Sequence, residues 1–330
     1  MNRFNHDKRK KILLALILAT VIVSITFFYN HYTQKTEPIS KTGFYFNTVI
    51  AIQLNDTTDE SLIDDCFALA DTYEHYFSRT LEGSDIYRIN HAGGAPVEVH
   101  DETAALIRAG IEYGKLSDGL FDISIGALTD LWDIPNNEGV IPDAKAIKKA
   151  ASTVDYTQIM IDGNTVTLKN PDARLDLGGI AKGYAADQMK AYLVAHGASE
   201  GFINLGGNVL TLGEKSDGTP YRIGIRKPFS EDGETITAVD VTDGSIVTSG
   251  RYERYFEKDG RIYHHILNPK TGYPYDNDLN AVTILSDSSM EGDALSTVCF
   301  ALGMEKGMEF IESMPGTDAI FIDTENTLHQ

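Results

Sequence analysis

The sequence predicts a mixed α/β (α+β) fold. Strand-like runs rich in β-branched and aromatic residues occur beside amphipathic runs with helical spacing, and the two kinds follow one another without strict alternation. No fixed-period repeat or low-complexity tract interrupts the 330 residues, enough for one large or two ordinary globular domains.

The chain opens on a segment of another kind. Residues 1–11 carry Arg3, Lys8, Arg9, Lys10 and Lys11, and Ile12–Tyr29 (ILLALILATVIVSITFFY) then runs for 18 residues without a charge. That is about the minimum for a helix across a bilayer. The basic cluster would stay in the cytoplasm and the remainder of the chain would face outward. The run ends in bulky Phe27, Phe28 and Tyr29, and no cysteine stands beside it for lipid attachment, which favours a single-pass membrane anchor over a cleaved signal peptide. Residues 30–42 are polar, contain Pro38 and read as a tether; residues 43–330 read as the folded domain.

Within that domain Phe44–Leu54 reads as a strand. Leu62, Cys66, Leu69, Tyr73, Tyr76 and Phe77 recur at helical spacing, and residues 102–116 form a second helical run. Residues 117–122 (SDGLFD) suit a turn, and a short helix is expected after Pro142. Two alternating runs about Asp162-Gly163-Asn164 predict a hairpin over 157–170. Ala173–Leu175 reads as a strand leading into DLGGIAKGYAAD (176–187), which opens a helix. Strands are expected at 201–213, 221–227, 234–242, 244–249 and 261–269, a helical stretch at 289–314, and a closing strand at 318–323.

Charge excludes one class of partner. With 28 basic against 48 acidic side chains, a formal net of -20, no basic surplus remains to neutralise nucleic-acid phosphates. The acidity itself serves solubility. Cys66 and Cys299 lie in apolar helical runs and read as buried free thiols.

Three constellations could carry chemistry. Gly178 and Gly179, at the start of a helix, let main chain approach a ligand; the free N–H groups there suit a phosphate, and Lys182 adds a full charge. Close helix-on-sheet packing would use the same glycines, and their G-G-x-x-x-G spacing departs from the dinucleotide-binding fingerprint. Asp293 and Thr297, four apart, share one helical face and offer two hard oxygen donors suited to Mg²⁺; an aspartate serves equally as a helix cap. His264 and His265 sit in a strand-like run and point to opposite faces, so one at most lines a given pocket. Arg251 and Arg254 would meet phosphate or pair with acidic neighbours.

Six separated segments, GLFDISIGALTDLW, LDLGGIAKGYAADQM, FINLGGNV, VTSGRYERYF, HHILNPKTGYP and DALSTVCFALG, occur in an order that resembles the ApbE family of FAD:protein FMN transferases over residues 44–323. The resemblance implies two associated subdomains with FAD between them, and an enzyme that uses Mg²⁺ to split the FAD pyrophosphate. FMN would pass to a threonine or serine hydroxyl of an acceptor protein, with release of AMP. The implied metal ligands are Asp293, Thr297 and the carbonyl of Ala181. Gly178, Gly179 and Lys182 would line the phosphates, and Phe46, Thr80, Leu120, Phe121, Asp122, Asp176, His265 and Ile266 the rest of the FAD; Asp176 or His265 would serve as base. Phe46-Asn47-Thr48 replaces a common Met-Gly-Thr, Arg79 and Thr80 stand at a flavin-side position without an identical match, and Asn268 stands where aspartate is frequent. An outward-facing domain implies acceptors among the flavoprotein subunits of extracytoplasmic electron-transfer systems. Two other readings remain at this point: a Mg²⁺-dependent FAD pyrophosphatase giving FMN and AMP, and a surface flavin-binding protein without turnover.

Overall fold

The computed structural model describes residues 37–230 and 233–330. The expected anchor Ile12–Tyr29 and most of the expected tether lie outside these; among the described residues no helix is long and apolar enough to cross a membrane.

The first described element begins inside the expected tether. β1 (Ile39–Tyr45) and β2 (Thr48–Leu54) form a hairpin, not the single strand expected over Phe44–Leu54. Its two-residue loop puts both Phe46 and Asn47 at φ 54°, the left-handed turn that matches strand twist. Asparagine tolerates that conformation better than other non-glycine residues, which is how Asn47 can stand in for a glycine.

α1 (Ser61–Phe77) buries Ile63, Cys66, Ala70, Tyr73 and Phe77 along one stripe. α2 (Asp85–His91) starts at Ser84, whose Oγ accepts from Tyr87 N at 3.0 Å. β3 (Val97–Glu98) precedes α3 (Asp101–Leu116), whose first turn is held by the buried Asp85 carboxylate, accepting from Thr103 Oγ1 at 2.6 Å and His100 N at 2.9 Å. α4 (Gly126–Trp132) and α5 (Ala144–Ala151, capped by Asp143) follow, then the expected hairpin, β4 (Ile159–Asp162) and β5 (Thr165–Leu168).

Ala173–Leu175 is not a strand. The Asn90 side chain takes over the backbone of Leu175, accepting from its N at 2.6 Å and donating to its O at 2.9 Å, so only a single bridge, Ile125 to Arg174, forms there. α6 (Ala181–Ala195) follows as expected. Residues 201–213 are two strands, β6 (Gly201–Leu205) and β7 (Asn208–Leu212), about a Gly206-Gly207 turn with φ of 60° and 99°. β8 (Tyr221–Arg226) and β9 (Thr235–Val241) make a ribbon, β10 (Ser245–Gly250) joins the main sheet, and β11 (Tyr255–Lys258) pairs with β12 (Arg261–His264). That strand stops before His265. After β13 (Leu279–Ser286), the expected helical stretch breaks at Gly303 (φ 79°) into α7 (Ser289–Leu302) and α8 (Met304–Glu312); β14 (Asp318–Asp323) and β15 (Leu328–His329) close the chain.

The frame is an eight-stranded antiparallel sheet in the order β1-β2-β6-β7-β10-β13-β14-β15. Ile50, Ile52 and Leu54 of β2 and Ile203 and Leu205 of β6 share a core with α1 and with Ala185, Met189 and Leu193 of α6. Val282 and Ile284 of β13 form a second core with Leu295, Cys299 and Phe300 of α7, while Ala281, Ile320 and Ile322 form a third with Ile225 and Tyr252. A fourth core, around Leu128, Trp132, Ile147 and Leu267, binds α4 and α5 to the β11–β12 hairpin. Cys66 and Cys299 are fully buried free thiols, and burial pushes each up to about 12, leaving them inert at neutral pH.

Candidate active site

A cavity of about 750 Å³ opens between the main sheet with its helices and the segments 120–135 and 252–267. It lies within the range of cofactor pockets. Each of the fourteen implied site positions lines it, although they come from six separate stretches of chain.

The wall made by α6 and α7 contains Ala181, Lys182, Asp293 and Thr297. Asp293 lies in the second turn of α7, 4 % exposed, and its Oδ2 accepts from Gly183 N at 3.0 Å. It is therefore a cap after all, though of α6 rather than of its own helix. Oδ1 faces Lys182 Nζ at 3.9 Å. Burial pushes this carboxyl upward, against the pull of Lys182 and the Gly183 N–H. Thr297 follows one turn later, its Oγ1 3.3 Å from Ser249 Oγ.

The return cap comes from the far end of DLGGIAKGYAAD. Asp187 Oδ1 accepts from Ser289 N at 2.8 Å, and Oδ2 accepts from Met290 N at 3.0 Å and Ser288 Oγ at 2.7 Å. Between the two caps lies Gly183, where an added Cβ would stand 2.3 Å from Ser289 O. The last glycine of the stretch thus serves helix contact, and each helix satisfies N–H groups at the other's start.

The donor set suits Mg²⁺. Asp293 Oδ1, the Thr297 hydroxyl and the Ala181 carbonyl are hard oxygens, and among the described residues no group of three or more His, Cys, Asp or Glu is placed to hold a metal. A single carboxylate supplemented by substrate phosphates is the usual way proteins hold this ion.

The glycine turn forms the next wall. Asp176 Oδ1 accepts from Gly178 N at 2.8 Å, and Oδ2 lies 3.4 Å from Arg79 Nε, which also pairs with Asp130 of α4. Both carboxylate oxygens are engaged in holding the turn. Gly179 admits the Phe121 ring, since a Cβ there would lie 2.9 Å from it. Asp122 lines the cavity, yet its carboxylate is spent on the adjoining loops, accepting from Ser124 N, Ser124 Oγ and Tyr156 N at 2.6–2.9 Å. Leu120 lies beside them. Phe46, held by its N–H donating to Glu74 Oε1 at 2.9 Å, and the exposed Thr80 stand on the rim.

His264 and His265 divide as alternation implies. His264 is 2 % exposed and structural: Nε2 donates to Tyr275 O at 2.8 Å, and Nδ1 accepts from Ile266 N at 3.3 Å. His265, with Ile266, reaches the cavity. Its Nδ1 lies 3.3 Å from Arg254 O, which can only accept, so the proton belongs on Nδ1 and Nε2 keeps the lone pair. Burial and the nearby Arg254 push this imidazole down to about 3, so it is neutral at physiological pH. Of the two arginines singled out, Arg254 lines the cavity; Arg251 turns away, donating to Asn280 Oδ1 at 2.8 Å.

Buried His264 carries a stability consequence. Desolvation holds it at about 4, below the ordinary 6.5 it regains on unfolding. The unfolded chain therefore takes up the extra proton, and the contribution is complete above pH 6.5 and lost as pH falls toward 4. Melting temperature will fall between about pH 7 and pH 5, and His264→Gln will flatten that slope; an unchanged slope in the variant would refute the assignment.

Sequence reasoning missed Ser249 and Glu253, both of which line the cavity. Glu253 stands beside the arginines in SGRYERYF, on the cavity wall near Lys182 and Arg254. Only the folded cavity produces that environment.

Known proteins resemble this chain in sequence and in fold. The ApbE family model matches residues 46–321. A protein of Klebsiella pneumoniae (strain 342) named FAD:protein FMN transferase is 40% identical over 267 residues, 80% of this chain and 83% of its own. One of the same name from Treponema pallidum (strain Nichols) is 36% identical over 79% of this chain and 76% of its own. Among solved structures, the ApbE protein of Thermotoga maritima superposes with a TM-score of 0.83 at 29% identity, covering 89% of this chain and 97% of its own. The flavin transferase ApbE of Vibrio cholerae gives 0.79 at 27%, covering 89% and 96%. With the family model matching most of the chain and relatives up to 40% identical, the chain belongs to the ApbE family.

Proposed function

We propose that this protein is an FAD:protein FMN transferase that works with Mg²⁺. It moves FMN from FAD onto a threonine or serine hydroxyl of an acceptor protein, forms a phosphodiester and releases AMP. One observation carries the reading: three hard oxygen donors, the Lys182 ammonium and a double-glycine turn line a single cavity, in a chain whose curated relatives bear that name.

Phosphoryl transfer needs charge stabilisation and an in-line nucleophile. When bound to Asp293, Thr297 and the Ala181 carbonyl, Mg²⁺ supplies Lewis-acid stabilisation to diphosphate oxygens. Lys182 adds a positive charge on the same wall, and the turn at Gly178 and Gly179 leaves room for the diphosphate beside main chain. His265, neutral and with Nε2 free, is placed to accept a hydrogen bond from the acceptor hydroxyl and orient it for attack, but an imidazole held at about 3 is too weak a base to carry that proton away by itself. Asp176 is no better placed for that step, because Arg79 and Gly178 already occupy its oxygens. Ahead of the domain, the Ile12–Tyr29 run and its basic flank support anchoring in the cell membrane with the active site outside. Acceptors are then extracytoplasmic, among flavin-carrying subunits of electron-transfer systems.

Incubation with FAD, Mg²⁺ and a candidate acceptor will yield FMN covalently attached to the acceptor, detected by mass spectrometry, together with an equal amount of AMP. Rapid free FMN in the absence of acceptor would mean hydrolysis instead. FAD retained without AMP in the presence of acceptor would mean a binding protein.

A further inference from the structure

Asp187 does not line the cavity, yet three of its contacts fix where α7 begins. The first turn of α7 has four N–H groups to satisfy: those of Ser289 and Met290 go to Asp187, that of Glu291 to Ser288 Oγ at 3.3 Å, and that of Gly292 to Ser288 O at 3.0 Å. Ser288 Oγ in turn donates to Asp187 Oδ2. The helix start is thus bound to α6 by one carboxylate and one hydroxyl. Asp293 lies one turn further along α7 and Thr297 two turns, on a rigid helix whose rise per residue is about 1.5 Å. A shift of the helix start is therefore carried to both side chains. Gly183 adds the close approach, and the Asp293 cap on Gly183 N closes the loop between the helices.

We infer that Asp187, through Ser288 and the first turn of α7, is a positioning residue that sets Asp293 and Thr297 at the depth required to hold a divalent cation against the Ala181 carbonyl. This rests on the metal reading of the site given above. Metal affinity, not only turnover, then depends on a carboxylate that touches neither metal nor flavin.

The test is Mn²⁺ binding to the full chain, followed by electron paramagnetic resonance and calorimetry, in the wild type and in Asp187→Ala, Ser288→Ala, Asp293→Ala and Asp143→Ala. Asp187→Ala will weaken Mn²⁺ binding roughly tenfold or more. Ser288→Ala, which removes no charge, will weaken it by a smaller factor in the same direction. The metal concentration for half-maximal transfer will rise in both, while the rate at saturating metal stays within a few-fold of wild type. Asp143→Ala removes the cap of α5, with comparable loss at a site outside the cavity lining, and will leave Mn²⁺ affinity unchanged. Wild-type affinity in Asp187→Ala overturns the inference. Weakening in Asp187→Ala without any in Ser288→Ala also overturns it, because charge at a distance would then explain the effect. Should Asp187→Ala fail to fold, Ser288→Ala alone decides between weakened and wild-type affinity. Undiminished Mn²⁺ binding in Asp293→Ala overturns the metal reading itself and the inference with it, which separates that failure from the others.

Discussion

Asp293→Ala will lower flavin transfer by about 10³-fold or more, the largest loss expected from any single side chain of the cavity. A Lewis acid at a transferring phosphoryl group supplies several kcal/mol of transition-state stabilisation, and each 1.36 kcal/mol is a factor of ten. Asp293 is the only carboxylate in the proposed donor set, so truncating it removes the charge that draws in the cation. Asp293→Asn keeps the size and one oxygen, and will show a loss of similar order because an amide oxygen attracts Mg²⁺ far less. The readout is acceptor-bound FMN per unit time at saturating FAD. Transfer by Asp293→Ala at more than a tenth of the wild-type rate would refute the role.

Gly183→Ala is expected to be the most damaging small substitution. In most helices such a change would gain up to about 1 kcal/mol through propensity. Here the new methyl would meet Ser289 O at 2.3 Å, Ser289 C at 2.5 Å and Met290 Cα at 2.6 Å, all backbone atoms that cannot rotate aside. α6 and α7 must separate, at a cost of roughly 1–3 kcal/mol or more, which outweighs the propensity gain. Separation also stretches the Gly183–Asp293 hydrogen bond on the cavity wall. The variant will therefore melt several degrees lower and lose most of its transfer activity. A melting temperature equal to or above that of the wild type would show that the helices tolerate the methyl.

Much of the fold and of the cavity lining was legible in the sequence, and what escaped has definable causes. Helix α1 and the β4–β5 hairpin were readable because their signals are local: a buried stripe in one, alternation about Asp162-Gly163-Asn164 in the other. The Phe46-Asn47 turn was not, since neither residue is glycine although both take positive φ. Ala173–Leu175 misled because the amide that replaces its strand partner belongs to Asn90, far back in the chain. Asp293 was ambiguous between ligand and cap for the same reason: the N–H it caps lies on α6, 110 residues away in sequence. Likewise Glu253 comes near Lys182 only through cavity walls contributed by distant segments. Period and spacing reveal what neighbours along the chain do. They are silent on side chains that meet only after folding.

The strand order has a consequence for biosynthesis. β2 waits for β6, and the two arrive in the order Ile50, then Leu205; the cavity is completed only when Asp293 and Thr297 join it from the other end of the chain. A ribosome extends the polypeptide from its N-terminus, so no nascent fragment ending before α7 owns a whole pocket. Flavin can therefore be acquired only after synthesis and folding have passed α7, and flavin fluorescence would report a domain folded through that helix rather than any earlier intermediate.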